Sequence, residues 1–211
     1  MGERRSVVFQ KGQRIFGQGE PAEALFFIRS GCVRLVIEDA QGDRHIVGFL
    51  FAGELLYGGL TTHWATAEAV STCAIASSPM DATFRLLAED QAACAAVVCA
   101  SQRMLSELAR QMTRLVNWSA TDRVVWLLER LAQHSRGQAA NELELLMGRK
   151  DLADFLGLAP ETVSRTLAQL EASGELSKLG PRRYRWAPRG RDGRPAATTE
   201  AASEPALAIA S

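Results

Sequence analysis

An α+β chain is predicted, all-β over roughly its first 80 residues and helical after that. Three observations carry this reading. Short apolar runs broken by Gly and Asp turns recur at spacings of about 8–12 residues, as in an antiparallel sandwich or barrel. From Pro79 the apolar period lengthens from two to about 3.5 residues, which is helical. Close to the C-terminus, two short helical patterns flank a glycine-containing turn and a hairpin pattern follows them.

The β-rich part begins with Ala24–Arg29 and Cys32–Ile37, separated by Ser30-Gly31. The turn Asp39–Asp43 leads into Arg44–Phe51, and Ala67–Ser77 supplies one further strand. Asp81–Asp90 reads as a short helix. Beyond it Cys94, Val98, Ser101, Leu105, Leu108, Met112 and Leu115 alternate at spacings of four and three, an a/d seam of three heptads. Such a seam either packs on its own domain or pairs with its twin in a homodimer, and its narrowness favours the homodimer. Ser119 with Asp122 three residues on resembles an N-cap, opening a helix through Arg123–Gln133 that buries Val124, Val125, Leu127, Leu128 and Leu131. His134–Ala140 reads as a loop. The 24 residues from Pro188 have no periodicity and are expected to be disordered.

Composition sets further bounds. The 24 basic and 24 acidic side chains cancel, but residues 1–90 carry a net −3 while residues 149–191 carry +4. That asymmetry suggests a nucleic-acid contact toward the C-terminal end. The start of the chain lacks the apolar region of a secretory leader, and no apolar run approaches the roughly 18 residues of a membrane span. Cys32, Cys73, Cys94 and Cys99 form no CxxC pair, as expected of free thiols in a reducing cytoplasm.

Arg149–Trp186 carries the chemistry. Leu152, Phe155 and Leu156 share one helical face, Gly157 stops that helix, and Leu158-Ala159-Pro160 turns into Glu161–Ser173, where Val163, Leu167 and Leu170 face inward. Leu176–Leu179 and Arg182–Trp186 then make a basic hairpin, the wing of a winged helix-turn-helix. The second helix of such a motif enters the major groove N-terminus first. Glu161, Ser164 and Arg165 share its outer face. A carboxylate accepts from cytosine N4, a guanidinium forks onto guanine, and a hydroxyl is permissive. The alternative is a surface Glu161–Arg165 ion pair, which could also orient Arg165. Arg149, Lys150, Thr162, Lys178, Arg182 and Arg183 are the candidates for the DNA backbone.

Asp151–Leu158 followed by Glu161-Thr162-Val163-Ser164-Arg165 resembles the DNA-binding helices of the Crp/Fnr transcription regulators, and its Glu-x-x-Ser-Arg pattern resembles the Fnr/FixK branch. Gly17–Glu23, Gly31–Arg34 and Gly53–Leu55 look like turns of that family's β-roll. The resemblance covers residues 7–187 and implies a cyclic-nucleotide-binding-type β-roll (jelly roll) over residues 1–85, a dimerisation helix over 86–118 and a winged helix-turn-helix over 119–187, ahead of the expected disordered tail over 188–211. It implies a cytoplasmic homodimer, an activator that binds TTGA-type inverted repeats in double-stranded DNA and touches RNA polymerase.

The signal is less defined. The Arg-Ser pair that holds a cyclic phosphate in the cyclic-AMP branch is replaced by Thr61–Thr66, and Gly58 or Gly59 falls near the expected Glu, so cyclic AMP is not expected. An iron–sulfur cluster is not expected either, because residues 1–31 lack cysteine and Cys73 alone cannot supply four thiolates. No cofactor or metal is predicted, with haem left open. His63 and Trp64 are the effector candidates, a surface-loop histidine being the commoner reading. Cys94 and Cys99 are either redox switches or small buried hydrophobes. A small-ligand receptor acting through protein contacts is the alternative function. An enzyme fits poorly, with no nucleophile motif, phosphate-cradling loop or metal-spaced histidines.

Overall fold

The computed structural model describes residues 5–56, 58–135 and 141–187. The chain begins with eight strands: β1 (Arg5–Phe9), β2 (Arg14–Phe16), β3 (Ala24–Ser30), β4 (Cys32–Glu38), β5 (Arg44–Phe51), β6 (Leu55–Leu56), β7 (Thr66–Ala69) and β8 (Cys73–Pro79). They form two antiparallel four-stranded sheets, ordered β1-β8-β3-β6 and β2-β7-β4-β5. Inward residues of both sheets meet in one core: Ile28, Leu56 and Ile75 from the first, Phe16, Val33, Leu35 and Ala67 from the second. Burial alternates cleanly in β7, where Ala67 and Ala69 are buried and Thr66 and Glu68 are half-buried.

One strand was expected over Ala67–Ser77; the structure has two, β7 and β8, in different sheets. Val70–Thr72 lets the chain change sheets, with Val70 N–H donating to Cys32 O at 2.8 Å and Ser71 Oγ accepting from Cys32 N–H at 3.0 Å. β1, β2 and β6 had no counterpart in the sequence reading. On the outer side of the second sheet, Glu68 takes Arg34 and Arg44 at 2.6 Å each. Burial raises the Glu68 pKa, but the two guanidiniums more than reverse this and hold it below the ordinary value.

Helices follow: α1 (Met80–Glu89), α2 (Gln91–Asn117) and α3 (Ala120–His134). Ser119 caps α3, its Oγ accepting from Asp122 N–H at 3.2 Å and donating to the Asp122 carboxylate at 2.6 Å. The helix thus starts three residues earlier than predicted and runs one further, through His134. β9 (Glu142–Glu144) was not foreseen. It pairs with β11 (Arg183–Trp186), which also pairs with β10 (Leu176–Lys178), so the wing is a three-stranded sheet. Between them lie α4 (Arg149–Leu156) and α5 (Pro160–Ala172).

The chain divides into two compact units, the division falling within α2 between Arg110 and Gln111. In the second unit α3 packs against α5 and β9, and the core is closed by Leu127, Leu128, Phe155, Leu156, Val163, Leu167, Tyr184 and Trp186. The tail expected over 188–211 and residues 136–140 of the expected loop lie outside the described residues.

Candidate nucleic-acid interface

Two short helices become a reading device when their inner faces are apolar and their connection is tight. α4 buries Leu152, Ala153, Phe155 and Leu156, and α5 buries Val163, Thr166, Leu167 and Leu170. Gly157 makes the turn possible: its φ of 61° is left-handed, and its N–H and that of Leu158 close the end of α4 on Asp154 O and Ala153 O. Pro160 stands at the first position of α5, where its missing N–H and fixed φ do no harm.

The outer face of α5 is then set by periodicity. Glu161, Ser164 and Arg165 are all exposed. The alternative Glu161–Arg165 ion pair is not made; neither side chain has a hydrogen-bond or ion-pair partner among the described residues. Ser164 Oγ donates to Pro160 O at 3.0 Å, one turn back. Its proton is therefore engaged within the helix, and its lone pairs face outward.

Around this helix the basic residues fall into two groups. Lys150, at the start of α4, and Lys178, in β10, are exposed, and Thr162 is half-buried in the first turn of α5. Arg149 Nη2 donates to the Tyr184 hydroxyl at 3.3 Å, and Arg182 Nη1 reaches Leu146 O at 3.5 Å. Together with Leu145, Met147 and Pro181 these two arginines line a shallow recess of about 160 Å³ beside the bare N-terminus of α4, whose Gly148 supplies no side-chain cap. A helix start with uncapped N–H groups and two guanidiniums nearby suits an anion. Arg183 is placed differently. It pairs with Glu142 at 2.8 Å, and Arg185 reaches the same carboxylate at 3.4 Å. The Arg183 hydrogen bond leads in holding the Glu142 pKa below its ordinary value. Glu142 reaches Arg183 because β9 pairs with β11, a long-range pairing that the local pattern marking Arg183 as a DNA-backbone candidate does not contain.

On α2 the seam residues Val98, Leu105, Met112 and Leu115 are 53, 62, 70 and 38% exposed. They are not core of their own unit. The packing falls on the flank of the seam, where Ala93 is buried and Met104 meets the β-roll core. Cys94 and Cys99 are exposed, which removes the buried-hydrophobe alternative for both within the single chain; Cys32 and Cys73 are buried.

The candidate effector residues separate. His63, expected on a surface loop, is only 4% exposed and stacks on Phe16, ring centroids 3.7 Å apart and planes 11° off parallel. Backbone hydrogen bonds from His63 N–H to Glu20 O at 2.9 Å and from Gly19 N–H to His63 O at 2.7 Å deliver it inward. Among the described residues its Nδ1 has no partner, and it abuts Gly58, where a Cβ would lie 2.2 Å away. Burial lowers the His63 pKa, with Glu20 opposing. Trp64 is half-buried and, with Ser101, Met104, Leu105 and Leu108, lines a shallow apolar recess of about 140 Å³. Among the described residues no three His, Cys, Asp or Glu side chains converge as a metal site requires.

A β-roll, a long helix with an apolar stripe and a winged helix-turn-helix with an exposed polar face on its second helix define a DNA-binding transcription regulator. The comparisons with known proteins give the family. Residues 6–90 match the cyclic nucleotide-binding domain and residues 122–186 the Crp-like helix-turn-helix domain. Electron transport regulator A of Shewanella oneidensis is 32% identical over 187 residues, covering 84% of this chain and 73% of that protein. The nitrogen fixation regulation protein FixK of Azorhizobium caulinodans is 34% identical over 182 residues, with the same coverages. The transcriptional activator protein Anr of Pseudomonas aeruginosa is 27% identical over 184 residues, covering 84% and 75%. Among solved structures, FixK2 from Bradyrhizobium japonicum superposes with a TM-score of 0.82 at 28% identity, covering 92% of this chain and 99% of that one. The chain belongs to the Crp/Fnr family of transcription regulators, on its FixK-like side, and is not an enzyme.

Proposed function

We propose that the chain is a homodimeric transcription activator that binds TTGA-type inverted repeats, with Glu161, Ser164 and Arg165 on base edges. The observation that carries this is the outer face of α5: a carboxylate and a guanidinium without partners among the described residues, flanking a hydroxyl whose lone pairs face outward. Arg149, Lys150, Thr162, Lys178 and Arg182 serve the phosphates. Arg183 contributes less, since Glu142 holds it. The exposed seam of α2 supports the dimer, because a row of apolar side chains at a/d spacing is removed from water when a second such stripe pairs with it. RNA polymerase is the further partner of an activator, a role that the name of Anr carries.

The reading includes no cyclic nucleotide. In the segment that would have to supply a guanidinium for the phosphate, His63 instead turns into the core and stacks on Phe16. A buried cyclic phosphate would have no positive partner from that segment. Haem and iron–sulfur clusters are likewise left out of the proposal.

The test is binding to a TTGA-N6-TCAA duplex by mobility shift. Arg165→Ala should cost about 1–3 kcal/mol on that site and relax the preference at one base pair. Equal binding of parent and variant would remove Arg165 from the reading face.

A further inference from the structure

We propose that Arg123 is a positioning residue that bolts the helix-turn-helix to the last turn of α2 and so fixes the half-site spacing the dimer accepts. This rests on the reading of the chain as a dimer on an inverted repeat.

A helix ends with carbonyls that have no partner within it, and with the negative end of its dipole. Arg123, in the first turn of α3, serves two such ends at once. Its Nη2 donates to Leu115 O at 2.9 Å and its Nε to Trp118 O at 3.1 Å, at the end of α2. Its Nη1 donates to Leu156 O at 3.0 Å and reaches Gly157 O at 3.4 Å, at the end of α4. One rigid, planar guanidinium thus spans four carbonyls on two elements, which the single ammonium of a lysine cannot do.

The contact is tight as well as polar. A Cβ on Gly157 would lie 3.0 Å from Leu115 Cδ2 and 3.5 Å from Arg123 Nη1. The turn that aims α5 therefore rests on Leu115, which is also the last residue of the seam. A second tie runs from Gln111 Nε2 to Phe155 O at 2.9 Å. The direction of α5 is in this way referred to the last turn of the helix on which a partner would sit.

Half-site spacing is the readout of such a reference. One base pair more or less turns one half-site by about 34° relative to the other. A dimer whose reading helices are fixed to its seam tolerates little of that; one whose helices pivot tolerates more.

The experiment measures affinity of the full chain and of Arg123→Gln for TTGA–TCAA duplexes with the six-base-pair spacer and with spacers one base pair shorter and longer, beside a duplex altered at the base pair read by Arg165. The parent should prefer the six-base-pair spacer by about tenfold or more, and the variant by less than about threefold, while both keep the same penalty for the altered base. A uniform loss on all spacers, or an unchanged spacing preference, overturns the assignment and leaves the DNA reading intact. Failure of the parent to bind any of the duplexes overturns the DNA reading itself. Should Arg123→Gln melt below the assay temperature, Arg123→Lys keeps the charge and most of the stem and is read against the same two outcomes.

Discussion

Ser164 shows how much a single hydroxyl can be constrained before it meets a ligand. With its proton on Pro160 O, it greets a base edge as an acceptor. Ser164→Thr, which can make the same back-bond, should keep the base preference, whereas Ser164→Ala should weaken it; competition with base-substituted duplexes checks this. His63 carries a pH signature. Burial lowers its pKa, so the folded state favours the neutral ring. The stability it contributes is full above the ordinary histidine value near 6.5 and is lost as the pH falls through the lowered one. His63→Phe, which keeps a ring on Phe16 and takes no proton, should melt relatively higher than the parent at pH 5.5 than at pH 7.5. Steeper acid destabilisation in the variant would contradict this. The sequence could not place His63, because a lone histidine among Thr and Trp gives no periodicity. Only the backbone pairing with Gly19 and Glu20, some 40 residues away, turns it inward.

At the scale of elements, legibility followed local pattern. α4, α5 and the turn between them were readable because Gly157, Pro160 and an apolar stripe all lie within a few residues of one another. β9 was not: three residues, Glu-Leu-Glu, become a strand only by pairing with Arg183–Arg185. Its arrival changes the wing, since Glu142 quenches arginines that looked free. Glu142→Gln should raise non-specific DNA affinity and steepen its salt dependence, measured by anisotropy titration at several salt concentrations. The same variant should flatten the acid limb of the stability curve, because a lowered carboxylate pKa gives stability above the ordinary value that disappears as the pH falls through the lowered one. The seam of α2 was legible as a period of 3.5, but whether it was core or interface was a question of what surrounds it. Its exposure answers for the single chain. Leu105→Asp should leave the melting of the chain nearly unchanged and abolish dimers in sedimentation. Ser119→Ala, removing the cap of α3, should cost about 1 kcal/mol in thermal unfolding.

For the whole molecule, a formal charge of zero conceals a net −3 over residues 1–90 and a net +4 over residues 149–191. Attraction to DNA is then local. Affinity should fall steeply with salt, each neutralised phosphate adding about −0.9 to the slope, and Lys150→Ala should reduce that slope by about 1 without altering base preference. No helix among the described residues is long and apolar enough to cross a membrane. The cysteines divide as cleanly as the charges. Cys32 and Cys73 are sealed in the β-roll, with Cys73 Sγ donating to Cys32 O at 3.1 Å, while Cys94 and Cys99 stand open on α2. A maleimide added to the native protein should therefore modify two thiols per chain and spare two. Cys94 lies within the seam, so its rate of labelling should drop when chains associate. Cys99, five residues on, faces away from the seam and should react at a steady rate, ready to carry a spin probe whose twin on a second chain reports the separation of the paired helices.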